Sequence, residues 1–184
     1  MRARLLLIAL ALPAAAWSQE LVLRADPART TIQFKLGATL HTVHGAFRLT
    51  RGAIRFNPAT AAISGEIVVD AASGESGDQK RDRNMHRDVL QSARYPEIVF
   101  TPDRVDGAVA PAGTSHIQVH GTFRIHGAAH EITLPVEVQM NGGQVSARTN
   151  FAIPYAAWGM KNPSTLFLRV SDKVEIEAVM VALP

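Results

Sequence analysis

Two seven-residue segments, Val43-His44-Gly45-Ala46-Phe47-Arg48-Leu49 and Val119-His120-Gly121-Thr122-Phe123-Arg124-Ile125, stand 76 positions apart and alternate in the same way. In each, Val, Gly, Phe and a branched aliphatic share one face, while His, a small residue and Arg share the other. Side chains alternate across a strand with period two, so both segments read as strands with one apolar and one polar face. The glycine is the constraint. On the apolar face of a strand it leaves a gap where a side chain should pack, and it marks a bend, a bulge or close approach by another group. Two such gaps in matched strands predict a closed, curved sheet with room inside. A single pair does not establish internal duplication.

Further strands follow from the same period. Thr31 to Leu36 puts Ile32, Phe34 and Leu36 on one face, and Ile63 to Asp70 groups Ile63, Gly65, Ile67 and Val69. The first copy extends over Thr42 to Thr50, and Ala53 to Phe56 is expected across a Thr50-Arg51-Gly52 turn. Ile98 and Phe100 mark another strand, closed by Pro102. His116 to His126, Glu131 to Met140, Gln144 to Ile153 and Lys173 to Leu183 complete the set, with Asn141-Gly142-Gly143 as a tight hairpin. Short strands at regular spacing indicate an all-β barrel or sandwich. Asp78 to Ser92 breaks the pattern. It is dense in charge, and Met85, Val89 and Leu90 form a narrow apolar stripe, so it reads as one short amphipathic helix covering an end of the barrel, as a plug or a gate.

The first eighteen residues read as an export signal. Arg2 and Arg4 form a positive start, Leu5 to Leu12 an apolar run, and Ala16-Trp17-Ser18 a cleavage site with small residues at its two critical positions. The run is well short of the roughly 20 residues needed to span a bilayer, so stable membrane insertion is not expected. Lys and Arg number 19 against 16 acids, and cleavage removes Arg2 and Arg4 but no acid, leaving 17 against 16. That near-neutral balance argues against both a nucleic-acid partner and an anionic-membrane partner. The remaining chain, residues 19–184, has one domain's length. It has no Cys, which excludes thiol chemistry and disulfides.

Seven histidines invite a metal hypothesis. Residues four apart on a strand are roughly 13 Å apart, too far to share an ion without a neighbouring strand. His44 and His120 could pair only if their strands were adjacent. The plainer reading places His44, His116, His120 and His126 on the solvent face. There is no G-x-S-x-G elbow, no H-E-x-x-H and no phosphate-binding glycine loop, and no motif for a cofactor. Ser73-Gly74-Glu75-Ser76-Gly77 reads as a flexible loop. Nothing amounts to a catalytic constellation.

The apolar stripes carry more. Phe34, Leu36, Val43, Phe47, Ile67, Phe100, Val119, Phe123, Ile132, Leu134, Val136, Phe151 and Ile176 all fall on them. A barrel of about eight strands has an interior that either just fills with side chains or holds one small ligand. Gly45, Gly65 and Gly121 are expected to favour the cavity. Burying a ligand chain stabilises its complex by about 0.8 kcal/mol per methylene, so a long tail needs few polar contacts.

The residues also resemble a known family. Asp26-Pro27, Thr31-Ile32-Gln33-Phe34 and Val43-His44-Gly45-Ala46-Phe47 are similar to the opening of the YceI-like family of exported bacterial proteins. Arg81-Asp82 and Tyr95-Pro96-Glu97-Ile98-Val99-Phe100 resemble its central motif. Val119 to Gly127, Trp158-Gly159-Met160 and Ser171-Asp172-Lys173-Val174-Glu175-Ile176 resemble its second half. The match covers the chain beyond the signal. It departs from the family in one place, where Met85-His86-Arg87-Asp88-Val89-Leu90 replaces the usual aromatic pair. The resemblance implies a single eight-stranded antiparallel lipocalin-like barrel, periplasmic or secreted, that binds a polyisoprenoid or similar amphiphile. Some members are dimers, which makes a second copy a candidate partner.

The leading expectation is thus a non-catalytic carrier for a polyisoprenoid, quinone-like lipid or fatty amide. Phe34, Phe47, Phe100, Phe123 and Phe151 are expected to line the tail channel with Leu36, Val43, Gly45 and Gly121, and Met85, Leu90, Trp158 and Met160 to surround the mouth. Two alternatives stand beside it. One is a lipid-directed enzyme with an inward His beside a polar partner. The other is a filled structural barrel that binds a membrane redox partner.

Overall fold

The alternating segments become strands of one antiparallel sheet that closes on itself. The computed structural model describes residues 20–183, so the expected signal, residues 1–18, lies outside the described residues. The strands are β1 (Leu21–Ala25), β2 (Thr31–Gly37), β3 (Thr42–Asn57), β4 (Ala62–Glu75), β5 (Glu97–Asp106), β6 (Gly113–Ile125), β7 (Ala128–Asn141), β8 (Gln144–Ile153) and β9 (Val174–Leu183). Between β4 and β5 lies α1 (Gln79–Asn84), which runs on as a π-helical stretch, Met85–Leu90. Hydrogen bonding runs β3-β2-β9-β8-β7-β6-β5-β4, and β4 pairs back to β3, closing an eight-stranded barrel. No helix among the described residues is long and apolar enough to cross a membrane.

The sequence pattern does not anticipate β1. It pairs with Ala53–Phe56 of β3 and with the end of β9, while β2 pairs with Thr42–Phe47 of β3 and Glu175–Val179 of β9. The two short strands thus occupy one wall position end to end. Between them, Asp26 Oδ1 accepts the Ala28 N–H at 2.9 Å, the side-chain turn that Asp-Pro favours.

Two expected strand ends are instead bulges. The Thr50-Arg51-Gly52 turn does not form, because β3 runs continuously for 16 residues. Its partners step from Leu49↔Val69 to Arg51↔Val68, so Thr50 is the one extra residue and the strand bends there. Pro102 likewise does not end β5. It sits opposite Gly121 at a register shift, one of the few places where a strand tolerates the missing N–H. The hairpin turns follow local chemistry more closely. Gly142 and Gly143 both have positive φ (51° and 93°), as do His126 and Gly127 (52° and 77°), as two-residue hairpin loops of the favoured hand require. His126 is thus a turn residue and not part of an outward histidine row.

The inward faces pack as two layers. Near the helix, Leu90, Ile98, Phe123, Ile125, Ile153, Tyr155 and Met160 are buried together. Toward the other end, Phe56, Val105, Ile117, Val119, Val138 and Val145 form a second cluster, and Phe100 touches both.

The glycines do something different from leaving gaps. A Cβ at Gly45 would collide with the Phe34 ring and the Glu75 carbonyl, and one at Gly121 would fall 2.8 Å from Pro102 Cα. These positions are glycine because a ring and a bulged backbone already fill the space.

Candidate functional site: an apolar cavity and its charged rim

Along β8 and β9 the inward positions are unusually small. Ala147 and Thr149 on β8 share the interior with Ala178 and Ala182 on β9. With these on one wall and Phe47, Phe100 and Phe123 among the others, the barrel is wider than its side chains can fill. The result is a cavity of about 850 Å³ that extends from Leu21, Leu23 and Met140 to the helix. That volume lies within the usual range for small-molecule pockets, roughly 300–1,000 Å³.

Of the residues expected to bind, Phe34, Leu36, Val43, Phe47, Met85, Leu90, Phe100, Phe123, Phe151 and Met160 line this cavity. Gly45, Gly121 and Trp158 do not. The two glycines admit close backbone packing, as described above. Trp158 stacks flat on His130, with ring centroids 4.0 Å apart and planes 2° from parallel, and lies 6.0 Å from the Phe123 ring. It packs on the buried cluster at the helix end of the barrel without lining the cavity. Sequence reading passed over Met180, Ala178 and Met140. The first two keep step with Ile176 and the third with Val136 and Val138, so a stricter reading of the same period would have found them.

The helix is fixed to the barrel by the Arg81-Asp82 pair. Arg81 donates to Ser76 Oγ at 2.7 Å and to its carbonyl at 2.8 Å, while the Asp82 carboxylate accepts from the Ser76 N–H and hydroxyl. Both charged groups are therefore occupied in holding α1 to the end of β4. The Asp78 side chain caps the helix by accepting the Arg81 N–H at 2.9 Å. His86 joins the π-helical stretch to β4: its Nε2 lies 2.8 Å from the Gly74 carbonyl, and its Nδ1 3.1 Å from Ser92 Oγ. Those partners assign the Nε2–H tautomer, with Ser92 donating to Nδ1. Stretches of π-helix are rare and cluster at functional sites.

The rim itself is charged. Arg87 grips Asp88 with two bonds of 2.8 Å, and Lys161 Nζ lies 4.0 Å from the same carboxylate, linking the helix to the chain after β8. The Arg87 hydrogen bond holds the Asp88 carboxyl below its ordinary range, and the Arg81 N–H does the same for Asp78. A carboxylate with a depressed folded value contributes stability that is fully present above its unfolded value and lost as pH falls through the folded one. The share of helix attachment that these two carboxylates supply is therefore expected to be complete at neutral pH and to weaken below about 4. Hydrogen exchange across residues 79–90, corrected for intrinsic rates, measures this. Asp78→Ala is expected to raise exchange there at neutral pH and leave the strands unchanged.

The interior has little that could do acid–base chemistry. Among the described residues, Thr149 is the one polar side chain lining the barrel wall away from the rim, apart from the phenol of Tyr155. Burial pushes that phenol up to about 12, with Asp172 adding to the effect, so it stays a neutral donor, here to the Ser171 carbonyl at 2.7 Å. His130 lies opposite Phe123, but its Nε2 is buried without a partner. Among the described residues, the one His–acid pair is on the outer wall. There His120 bridges Asp106 and Thr133, each at 2.7 Å, and its hydrogen bond lowers the Asp106 carboxyl. His44 and His120 sit on β3 and β6, which are not neighbours, and no group of three metal-ligating side chains occurs among the described residues.

Solved structures share this architecture. BcnA from Burkholderia cenocepacia superimposes with a TM-score of 0.74 at 24% identity, covering 86% of this chain and 99% of that one. A polyisoprenoid binding domain from Saccharophagus degradans, described as implicated in plant cell wall breakdown, gives 0.71 at 18% identity, covering 88% and 97%. The YCEI protein of Campylobacter jejuni gives 0.64 at 20%, covering 79% and 87%. At these identities the likeness establishes the fold. Among curated sequences, UPF0312 proteins of Vibrio parahaemolyticus and Vibrio campbellii are each 28% identical over 135 residues, 72% of this chain and 69% of theirs. A closed barrel around an apolar cavity, with a helix at its mouth, is what residues 23–182 encode, and over that span the sequence matches the YceI-like domain: the chain belongs to the YceI-like family.

Proposed function

We propose that this protein is a non-catalytic binding or carrier protein for a long-chain amphiphile of the polyisoprenoid class, working outside the cytoplasm after removal of residues 1–18. The observation that carries the reading is the 850 Å³ cavity, apolar along its length and charged only at its rim. Such a container suits a molecule with a long hydrocarbon tail and a polar head. Each buried methylene adds about 0.8 kcal/mol, so a tail of about ten methylenes supplies roughly 8 kcal/mol before the cost of association. The polyisoprenoid binding described for the Saccharophagus domain is consistent with a ligand of this class.

The enzymatic alternative needs an inward histidine beside a polar partner; among the described residues only His41 lines the cavity, at its exposed entrance, and the buried His130 Nε2 has no partner. The filled-barrel alternative needs an interior without a connected cavity. Organic extraction of the purified protein, followed by mass spectrometry, tests the carrier reading. A stoichiometric lipid with a long apolar chain is expected. A persistently empty protein that also fails to take up prenyl or acyl probes would sink it. Cell fractionation and N-terminal sequencing test the compartment, and the mature protein is expected to begin at Gln19.

A further inference from the structure

Three large apolar side chains stand in solvent beside the mouth: Leu40, Leu166 and Phe167, at 85%, 86% and 91% exposure. Leu40 is at the tip of the β2–β3 turn, where Ala38 N–H bonds the His41 carbonyl. Leu166 and Phe167 are at the tip of a second turn, which Thr165 and Leu168 close by an N–H to carbonyl bond of 2.8 Å. The two tips come from opposite halves of the chain but are joined. Thr39 N–H donates to the Arg169 carbonyl and Arg169 N–H to Thr39 Oγ1, both at 2.9 Å, and Ala38 bridges Val170. Their bases, Ala38, His41, Thr165, Leu168 and Val170, line the cavity entrance. Ordered, hydrogen-bonded turns that present their largest apolar side chains to water mark a surface meant to be covered.

Charge says by what. The rim segments 76–91 and 161–170 carry Lys80, Arg81, Arg83, Arg87, Lys161 and Arg169 against Asp78, Asp82 and Asp88. Those three acids are already engaged, in the helix cap, the Ser76 clamp and the Arg87 pair, whereas Lys80, Arg83 and Arg169 have no ion pair among the described residues. The mouth is thus positive on a chain that is otherwise close to neutral. A paired apolar tip inside a basic collar matches the boundary of an anionic bilayer, where apolar side chains enter the acyl region and cations meet the head groups.

We infer that Leu40, Leu166 and Phe167 dock the barrel mouth onto an anionic phospholipid surface, setting the cavity opening against the lipid from which its ligand is taken. This deepens the carrier reading by locating the route of entry, and docking itself requires no ligand.

Sedimentation of the purified protein with phosphatidylcholine vesicles containing about a third phosphatidylglycerol tests it. Wild type is expected to sediment with these vesicles, less with pure phosphatidylcholine and less in high salt. The triple variant L40S/L166S/F167S is expected to bind at least tenfold more weakly, with an unchanged melting temperature and unchanged uptake of a prenyl probe from solution. Unchanged vesicle binding by that variant would overturn the proposal. So would failure of wild type to bind; a wild-type dimer that the triple variant dissociates would then assign the patch to a second copy. Phe167→Trp gives an independent readout: its fluorescence is expected to shift blue on anionic vesicles, and an unshifted spectrum would count against insertion. Failure of docking leaves solvent extraction unaffected, so the two readings fall separately.

Discussion

Replacing Ala178 with tryptophan is expected to empty the protein of its ligand without unfolding it. Ala178 sits mid-barrel, opposite Ile32 on one side and Thr149 on the other, with its methyl group toward the cavity. An indole there occupies space in the cavity itself and not in the packed layers at either end. If it displaces about four methylenes of tail, binding falls by about 3 kcal/mol, more than a hundredfold in Kd. The expected result is an extract with little or no long-chain lipid and a large loss of prenyl-probe affinity, with circular dichroism unchanged. Ala147→Phe, on the neighbouring strand, is expected to act in the same direction. Retention of full ligand content by both would mean that the ligand does not run through the barrel centre.

The second large effect is on stability. Gly121→Val is expected to be among the most damaging single substitutions outside the large aromatic residues. Its Cβ would enter the van der Waals shell of the Thr101 carbonyl, 2.8 Å from Pro102 Cα and 3.0 Å from Phe100 Cε2. Two of these three obstacles are backbone at the β5 bulge, which cannot turn aside as a flexible side chain can. Overpacking of this kind costs about 3 kcal/mol or more. For a chain of this size that corresponds to a fall of roughly 10 °C in Tm. Gly37→Ala is the control. Its nearest neighbour, Ser171 Cβ, would be 3.9 Å away, so a change within about 0.5 kcal/mol is expected. A mild Gly121→Val would show that the bulge can relax and that close approach is not why glycine stands there.

The contrast between Gly121 and Ala178 shows what was legible in the sequence. Alternation revealed which face of each strand points inward, because the period of two is a property of the strand backbone and needs no partner. It therefore found Phe34, Phe47, Phe100, Phe123 and Phe151, all of which line the cavity. It could not reveal what stands opposite a missing side chain. Gly121 is met by Pro102, which is 19 positions away, and Gly45 by Phe34 and Glu75 from two different strands. The same limit hid the bulges at Thr50 and Pro102, which looked like strand ends because a turn and a bulge use similar residues. That Trp158 packs on His130 and does not line the cavity was hidden for a related reason. An aromatic in a turn looks like a mouth residue until its stacking partner is known, and His130 lies 28 positions earlier.

By itself the sequence determined the class of the fold, the inward stripes and the helical segment between β4 and β5, together with the family to which it is similar. Each of these follows from local backbone geometry or from a run of neighbouring residues. Only the tertiary structure decided that the interior stays open, that the Arg81-Asp82 pair holds the helix to Ser76, and that Leu40 shares a surface with Leu166 and Phe167. The physical reason is closure. A barrel's width and the company at its mouth depend on which strands meet across the sheet, and those contacts join residues that are far apart in the chain.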